Sequence, residues 1–154
     1  MKINEILSPN AIKIGLDSTS KADVLKELVN VLFKIQDIGD PKAIVKALVE
    51  REELGSTGIG QGIAIPHGKT DKVSGLIAIM GISHKGVDFD ALDGEPVYIF
   101  FLLITPKDTS GPHLKALAQI SRLLRDKYFC ELIRRCKTPE VVYQLIKNEE
   151  EKKH

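Results

Sequence analysis

Charge of neither sign is in excess here: 22 Lys and Arg stand against 21 Asp and Glu, a formal net charge of +1 over 154 residues. The basic footprint of a nucleic-acid-binding surface is missing, and no nucleic-acid partner is expected. Long apolar runs are missing too, so no segment reaches the length of a membrane span. The opening Met1-Lys2-Ile3-Asn4-Glu5 lacks the apolar core of a signal peptide, and the expectation is a cytoplasmic protein with no membrane insertion. Cysteine is scarce. Cys130 and Cys136 stand six residues apart in a charged stretch of helical pattern, on roughly opposite sides of a helix, which disfavours a disulfide between them. Neither sits in the basic or glycine-rich setting of a nucleophile, so packing is their expected role. There is no Cys-x-x-Cys and no pair of histidines at helical ligand spacing, so no metal site is expected. No repeat or linker divides the chain, whose length suits one domain. We assign residues 1–148 to that domain and 149–154 to a charged, frayed tail.

Hydrophobic residues make up 43% of the chain and charged residues 28%, the balance of an ordinary globular protein. Ile12, Ile14 and Leu16 alternate with polar residues, as in a short edge strand. Ser20 reads as a helix N-cap with Asp23 three positions on. Leu25, Leu28, Val29, Leu32 and Phe33 then form an apolar stripe. Asp40-Pro41 starts a second helix that buries Ile44, Val45, Leu48 and Val49 and stops near Gly55. Ile63-Ala-Ile65, Leu76 to Ile82 and Val97 to Ile104 have the length and composition of strands. Ser110-Gly111-Pro112 opens a helix carrying Leu114, Leu117, Ala118, Ser121 and Leu124 on one face. Cys130 to Cys136 continues helical, and Thr138-Pro139 caps a last helix through Val142, Leu145 and Ile146. Helices outnumber strands and flank them, which predicts an α/β fold: a mixed sheet with helices on both faces.

The chemistry concentrates in Gly55-Ser-Thr-Gly-Ile-Gly-Gln-Gly-Ile-Ala-Ile-Pro-His67-Gly68, where five glycines surround one histidine. Glycine lets backbone approach a ligand closely and turn its N–H groups toward one point. Thr57, Gly58, Gly60, Gly62 and Gly68 are therefore candidates to cradle an anion. The loop is not a P-loop, because no Gly-Lys-Ser/Thr follows. It also lacks the strand, Gly-x-Gly-x-x-Gly and helix order of a dinucleotide site. His67 is an imidazole that is mostly neutral at neutral pH, with one ring nitrogen free to attack. Arg51 offers a fork of donors suited to phosphoryl oxygens, although alone it would read as a charge complementing a helix end. His113 falls in the first turn of its helix, where free N–H groups and the dipole attract anions. His84 reads as a solvated turn residue, and His154 is terminal. An anion could be bound here or carried on the ring; the residues by themselves leave both open.

The stretch from Arg51 to Lys69 resembles the signature of the type-2 EIIA domains of the bacterial phosphoenolpyruvate:sugar phosphotransferase system, the fructose/mannitol class that includes the nitrogen-regulatory IIA proteins. The resemblance continues through Asp88-Phe-Asp-Ala-Leu-Asp-Gly-Glu-Pro-Val97 and from His113 to Leu124. It implies a mixed five-stranded sheet between helices, with no cofactor and no metal. His67 would be the phosphorylated histidine, carrying the group on Nε2, with Arg51 the active-site arginine and His113 the supporting histidine. The donor would be an HPr-type phosphocarrier protein or its nitrogen-branch paralogue. The acceptor would be a IIB domain, with peripheral contact to a permease, or else a regulatory target protein. The free-standing IIA pattern favours the nitrogen-regulatory branch; the alternatives are a fructose- or mannitol-type transport relay and an anion-binding module that is never phosphorylated.

Overall fold

The computed structural model describes residues 2–108 and 111–152, with the side chain of Pro112 left aside. Ser110 and His154 lie outside these residues. A short helix α1 (Ile3–Ile6) leads into strand β1 (Ile12–Ile14). Helices α2 (Lys21–Ile35) and α3 (Pro41–Glu53) follow, then strands β2 (Gly58–Gly60), β3 (Ile63–Ala64), β4 (His67–Thr70), β5 (Ile77–Val87) and β6 (Val97–Pro106). Helices α4 (Gly111–Leu123), α5 (Lys127–Arg135) and α6 (Pro139–Lys152) complete the chain. The caps are the expected ones. Ser20 Oγ accepts from Asp23 N at 3.3 Å, and the Asp40 carboxylate accepts from Lys42 N at 3.0 Å. Each satisfies a donor that the helix start leaves orphaned.

The sheet is mixed and open, in the order β1-β5-β6-β3-β2, with β4 also pairing β6. β6 is its spine. Antiparallel β5 lies along one edge, while parallel β3 and β4 share the other in succession, at Ile99–Phe100 and Leu103–Pro106. Because neighbours and helices cover β6, Ile99 through Ile104 are all buried, as an unbroken apolar strand requires. α2 packs directly over β5: a Cβ on Gly81 would lie 2.7 Å from Leu28 Cδ2. The sheet has six strands where the family resemblance implied five. The strands that the apolar pattern did not announce are β2, Gly58–Gly60, and β4, the polar run His67-Gly68-Lys69-Thr70, neither of which carries apolar alternation.

Two expectations are corrected. On α4 the buried residues are His113, Ala116, Ile120, Leu123 and the following Leu124, while Leu114 is 64% exposed. The buried stripe starts one residue earlier than the leucine pattern suggested, because it includes a histidine. The tail also differs, since α6 passes through residue 148 without a break and runs to Lys152. Glu150 is buried and its carboxylate accepts from Ile3 N at 2.6 Å, Asn4 N at 3.0 Å and Asn4 Nδ2 at 3.1 Å. Tyr143 Oη donates to Asn4 O at 3.1 Å. The last helix thus caps the first, which is too short to hold itself together. Glu150→Ala leaves those amides unpaired and is expected to cost about 1–3 kcal/mol, read as a fall in Tm of roughly 3–10 °C. An unchanged melting curve would remove Glu150 from the fold's support. Among the described residues, no helix is long and apolar enough to cross a membrane.

Candidate active site

β4 begins at His67, held to the sheet at its entry by Leu103 N donating to Pro66 O at 2.9 Å. Gly68 follows, and its missing side chain decides what can lie above. A Cβ there would stand 3.3 Å from Leu48 Cδ2 and 3.7 Å from Ala47 Cβ. Glycine therefore lets α3 settle closely onto β4. Arg51, one helical turn beyond Ala47 and Leu48, is carried over the imidazole. His113, in the first turn of α4, comes in beside it. The two rings lie 5.0 Å apart between centroids at 63°.

The hydrogen bonds settle the protonation of His67. Its Nδ1 is 2.9 Å from Ile65 O, and its Nε2 accepts from Arg51 Nε at 3.0 Å. A carbonyl can only accept and a guanidinium can only donate. The inferred tautomer therefore has its proton on Nδ1 and its lone pair on Nε2. Burial pushes the His67 imidazole below its ordinary pKa; the Ile65 contact opposes this, the Arg51 charge adds to it and Glu52 offsets part of it. Burial also lowers His113, followed by the charges of His67, Lys69 and Arg51. Both shifts favour the neutral ring at neutral pH. His113 is 7% exposed, and its Nδ1 has no hydrogen-bond partner among the described residues.

These groups line a cleft of about 470 Å³ formed by Arg51, Leu54, His67, Gly68, Lys69, His113 and their neighbours. A larger groove of about 750 Å³ between α2 and α3 is walled by Val29, Val45 and Val49. Its lining contains neither imidazole nor guanidinium, so size does not decide where the chemistry lies.

Of the residues expected to cradle an anion, only Gly68 lines this cleft. Gly58 and Gly60 pair in the β2–β3 hairpin. Gly60 and Gly62 take φ of +99° and +81° around its turn, which explains their identity without a ligand. Thr57 is buried and engaged by Glu52, to whose carboxylate it gives both its N–H, at 3.1 Å, and its hydroxyl. The glycine pattern therefore reports mainly hairpin geometry and close helix packing. Glu52 was missed. It continues the buried stripe Ile44, Leu48 at the next turn of α3, and a carboxylate on an apolar stripe is the signal that could have found it. Both cysteines are free and buried. Burial pushes the Cys130 thiol up to about 11 and raises Cys136 as well, which suits packing rather than attack.

With the geometry in place, the chain can be set beside known proteins. Residues 5–149 match the family model "Phosphoenolpyruvate-dependent sugar phosphotransferase system, EIIA 2". The chain belongs to this family of type-2 EIIA proteins. A nitrogen regulatory protein of Bradyrhizobium diazoefficiens is 35% identical over 146 residues, which span 95% of each chain. The fructose-specific EIIABC component of Bacillus subtilis is 41% identical over 124 residues, 80% of this chain but 20% of that one. Among solved structures, nitrogen regulatory protein IIA-Ntr of Neisseria meningitidis superposes with a TM-score of 0.87 at 31% identity, covering 94% of this chain and 98% of that one. The type-2 EIIA fold is thus the α/β architecture described above, and the family's work is phosphotransfer.

Proposed function

We propose that this protein is a phosphoryl carrier of the nitrogen-regulatory type. His67 accepts a phosphoryl group from an HPr-type phosphocarrier protein in the cytoplasm, and its phosphorylation state controls which protein it binds. The observation that carries this reading is the Nε2 lone pair, set by Ile65 O on the far side of the ring and met by Arg51 across an open cleft.

The chemistry follows from that geometry. Nε2 attacks the phosphorus of the donor's phosphohistidine in line. A new N–P bond forms on His67 as the donor's N–P bond breaks, and the departing pair returns to the donor's ring nitrogen. Nδ1 keeps its proton throughout. The transition state is loose, with charge spread over three equatorial oxygens, so catalysis is chiefly alignment and charge stabilisation. Arg51 must release Nε2, because the lone pair it caps is the one that attacks; its N–H groups then serve the phosphoryl oxygens. Neutral His113 supplies an N–H from the other side. No step calls for a cofactor. Leu54 and Leu114, 86% and 64% exposed, both line the cleft and suit a small apolar contact with a transient partner.

The test is intact-mass analysis after incubation with phosphoenolpyruvate, enzyme I and an HPr-type carrier: one acid-labile phosphoryl group is expected. No uptake from either HPr or its nitrogen-branch paralogue would leave a site that only binds free anions. A second reading, a transport relay that passes the group to a IIB domain, draws on the fructose-specific EIIABC relative and uses the same His67 chemistry. The near full-length nitrogen regulatory relatives favour the first. Rapid discharge by a fructose- or mannitol-type IIB domain would reverse that preference.

The pH dependence has a definite sign. Since burial lowers the His67 pKa from 6.5, the neutral ring persists to more acidic pH than in a free peptide. The midpoint of the acid-side fall in uptake should therefore lie below 6.5. A fall centred above 6.5 would mean the charged form is favoured instead. By linkage, folding stability contributed by the neutral ring is present above the unfolded pKa and is lost as pH drops below it.

A further inference from the structure

We propose that Glu52 is a positioning residue for Arg51, forming with Lys21 and Thr57 a clamp that presents the guanidinium to the imidazole. The proposal rests on the phosphoryl-carrier reading of His67. Glu52 is 7% exposed, and its carboxylate gathers donors from separate segments. Lys21 Nζ, at the start of α2, lies 3.0 Å from Oε1. Thr57, just before β2, gives its backbone N–H to Oε1 at 3.1 Å and its hydroxyl to Oε2. Lys21 is itself steadied over the Phe89 ring, 4.8 Å from its centroid. Three segments therefore meet on one carboxylate, beside the arginine in sequence.

The consequence is a loop closed at both ends. At its start, Leu54 N donates to Arg51 O at 3.2 Å and Gly55 N to Glu52 O at 3.1 Å. At its finish, the Glu52–Thr57 bonds pin the chain. Gly55 lies inside, and its carbonyl accepts from Arg51 Nη1 at 2.9 Å. The guanidinium is thus held twice, by Gly55 O on Nη1 and by His67 on Nε. When Nε leaves the lone pair for a phosphoryl oxygen, the Gly55 contact remains as a pivot that keeps the fork within reach. The half-buried Lys21–Glu52 pair contributes little net stability after desolvation; its role here is to fix where Arg51 sits.

The experiment uses Glu52→Gln and Thr57→Val, with Thr57→Ser as the conservative control, each in the wild-type and Arg51→Ala backgrounds. Two quantities are read: phosphoryl transfer from an HPr-type donor, and solvent exchange of the Arg51 Nε–H by NMR. Glu52→Gln and Thr57→Val should each lower kcat roughly tenfold to a hundredfold with little change in KM, and should speed Nε–H exchange. Thr57→Ser should restore both. In the Arg51→Ala background the same substitutions should change the rate less than about twofold, because the residue they act through is gone. Full loss persisting in that background, or Nε–H exchange unaltered by Glu52→Gln, would reduce the clamp to a support of the fold. Should Glu52→Gln fail to fold, Thr57→Val decides the matter. If the wild-type chain takes up no phosphoryl group, the carrier reading fails while Nε–H exchange still judges the clamp.

Discussion

His67→Gln is expected to take up no acid-labile phosphoryl group while melting like the wild-type protein. Glutamine is polar and its amide oxygen reaches about as far as Nε2, so the contact from Arg51 at 3.0 Å has a replacement. It has no nucleophilic nitrogen, since the amide lone pair is delocalised. The loss should be about 10⁴-fold or more, the scale set by removing a covalent nucleophile. His113 provides the internal control. Its ring lies 5.0 Å from that of His67, close enough to be labelled if the assignment were reversed. His113→Ala should still accept the group, more slowly. Stoichiometric label on His67→Gln, mapped to His113, would exchange the two roles.

Arg51→Ala should lower the transfer rate by about 10²–10³, or roughly 3–4 kcal/mol in the barrier, as for loss of one preorganised donor to a charge-developing oxygen. The side chain is held by Gly55 O and by His67, so little of its entropy remains to be lost on the way to the transition state. Arg51→Lys should recover only part of the rate, because an ammonium lacks the planar fork that can keep one N–H on Gly55 while offering others to the phosphoryl group. A second signature separates this role from mere structure. The Arg51 charge lowers the His67 pKa, so its removal should move the imidazole titration upward, which NMR can follow. Wild-type transfer kinetics in Arg51→Ala would remove the arginine from the chemistry.

Short-range signals in this chain are reliable where one residue acts on its own neighbours. Ser20 and Asp40 announce helix starts, and each side chain does accept from a first-turn amide; Asp126, which caps α5, goes unread because the helical pattern of that stretch reads as a continuation of the preceding helix. In the stripe Leu25, Leu28, Val29, Leu32, Phe33 the first four are buried as the spacing implies and Phe33 is half-buried. The signals weaken where a residue is chosen for a partner far away in sequence. β4 is polar because it is short and carries His67 and Lys69 into the cleft. Glu150 looks like one more charge in an acidic tail, yet it answers the amides of Ile3 and Asn4 at the opposite end of the chain. Gly58, Gly60 and Gly62 look like a phosphate cradle because backbone freedom serves a tight hairpin as readily as an anion.

By itself, then, the sequence determined the α/β class, the helix boundaries set by caps, the apolar spine of β6, and the candidacy of Arg51, His67 and His113 for an anion-handling site. These follow from local propensity, periodicity and side-chain chemistry, which a linear string carries in full. Only the tertiary structure decided that the Nε2 lone pair faces Arg51, that Gly68 rather than the other glycines shapes the cleft, and that Glu52 closes the loop beneath the guanidinium. Those depend on how closely α3 lies on β4 and on which buried donors meet one carboxylate. Such distances come from packing the whole core, and no window along the chain contains them.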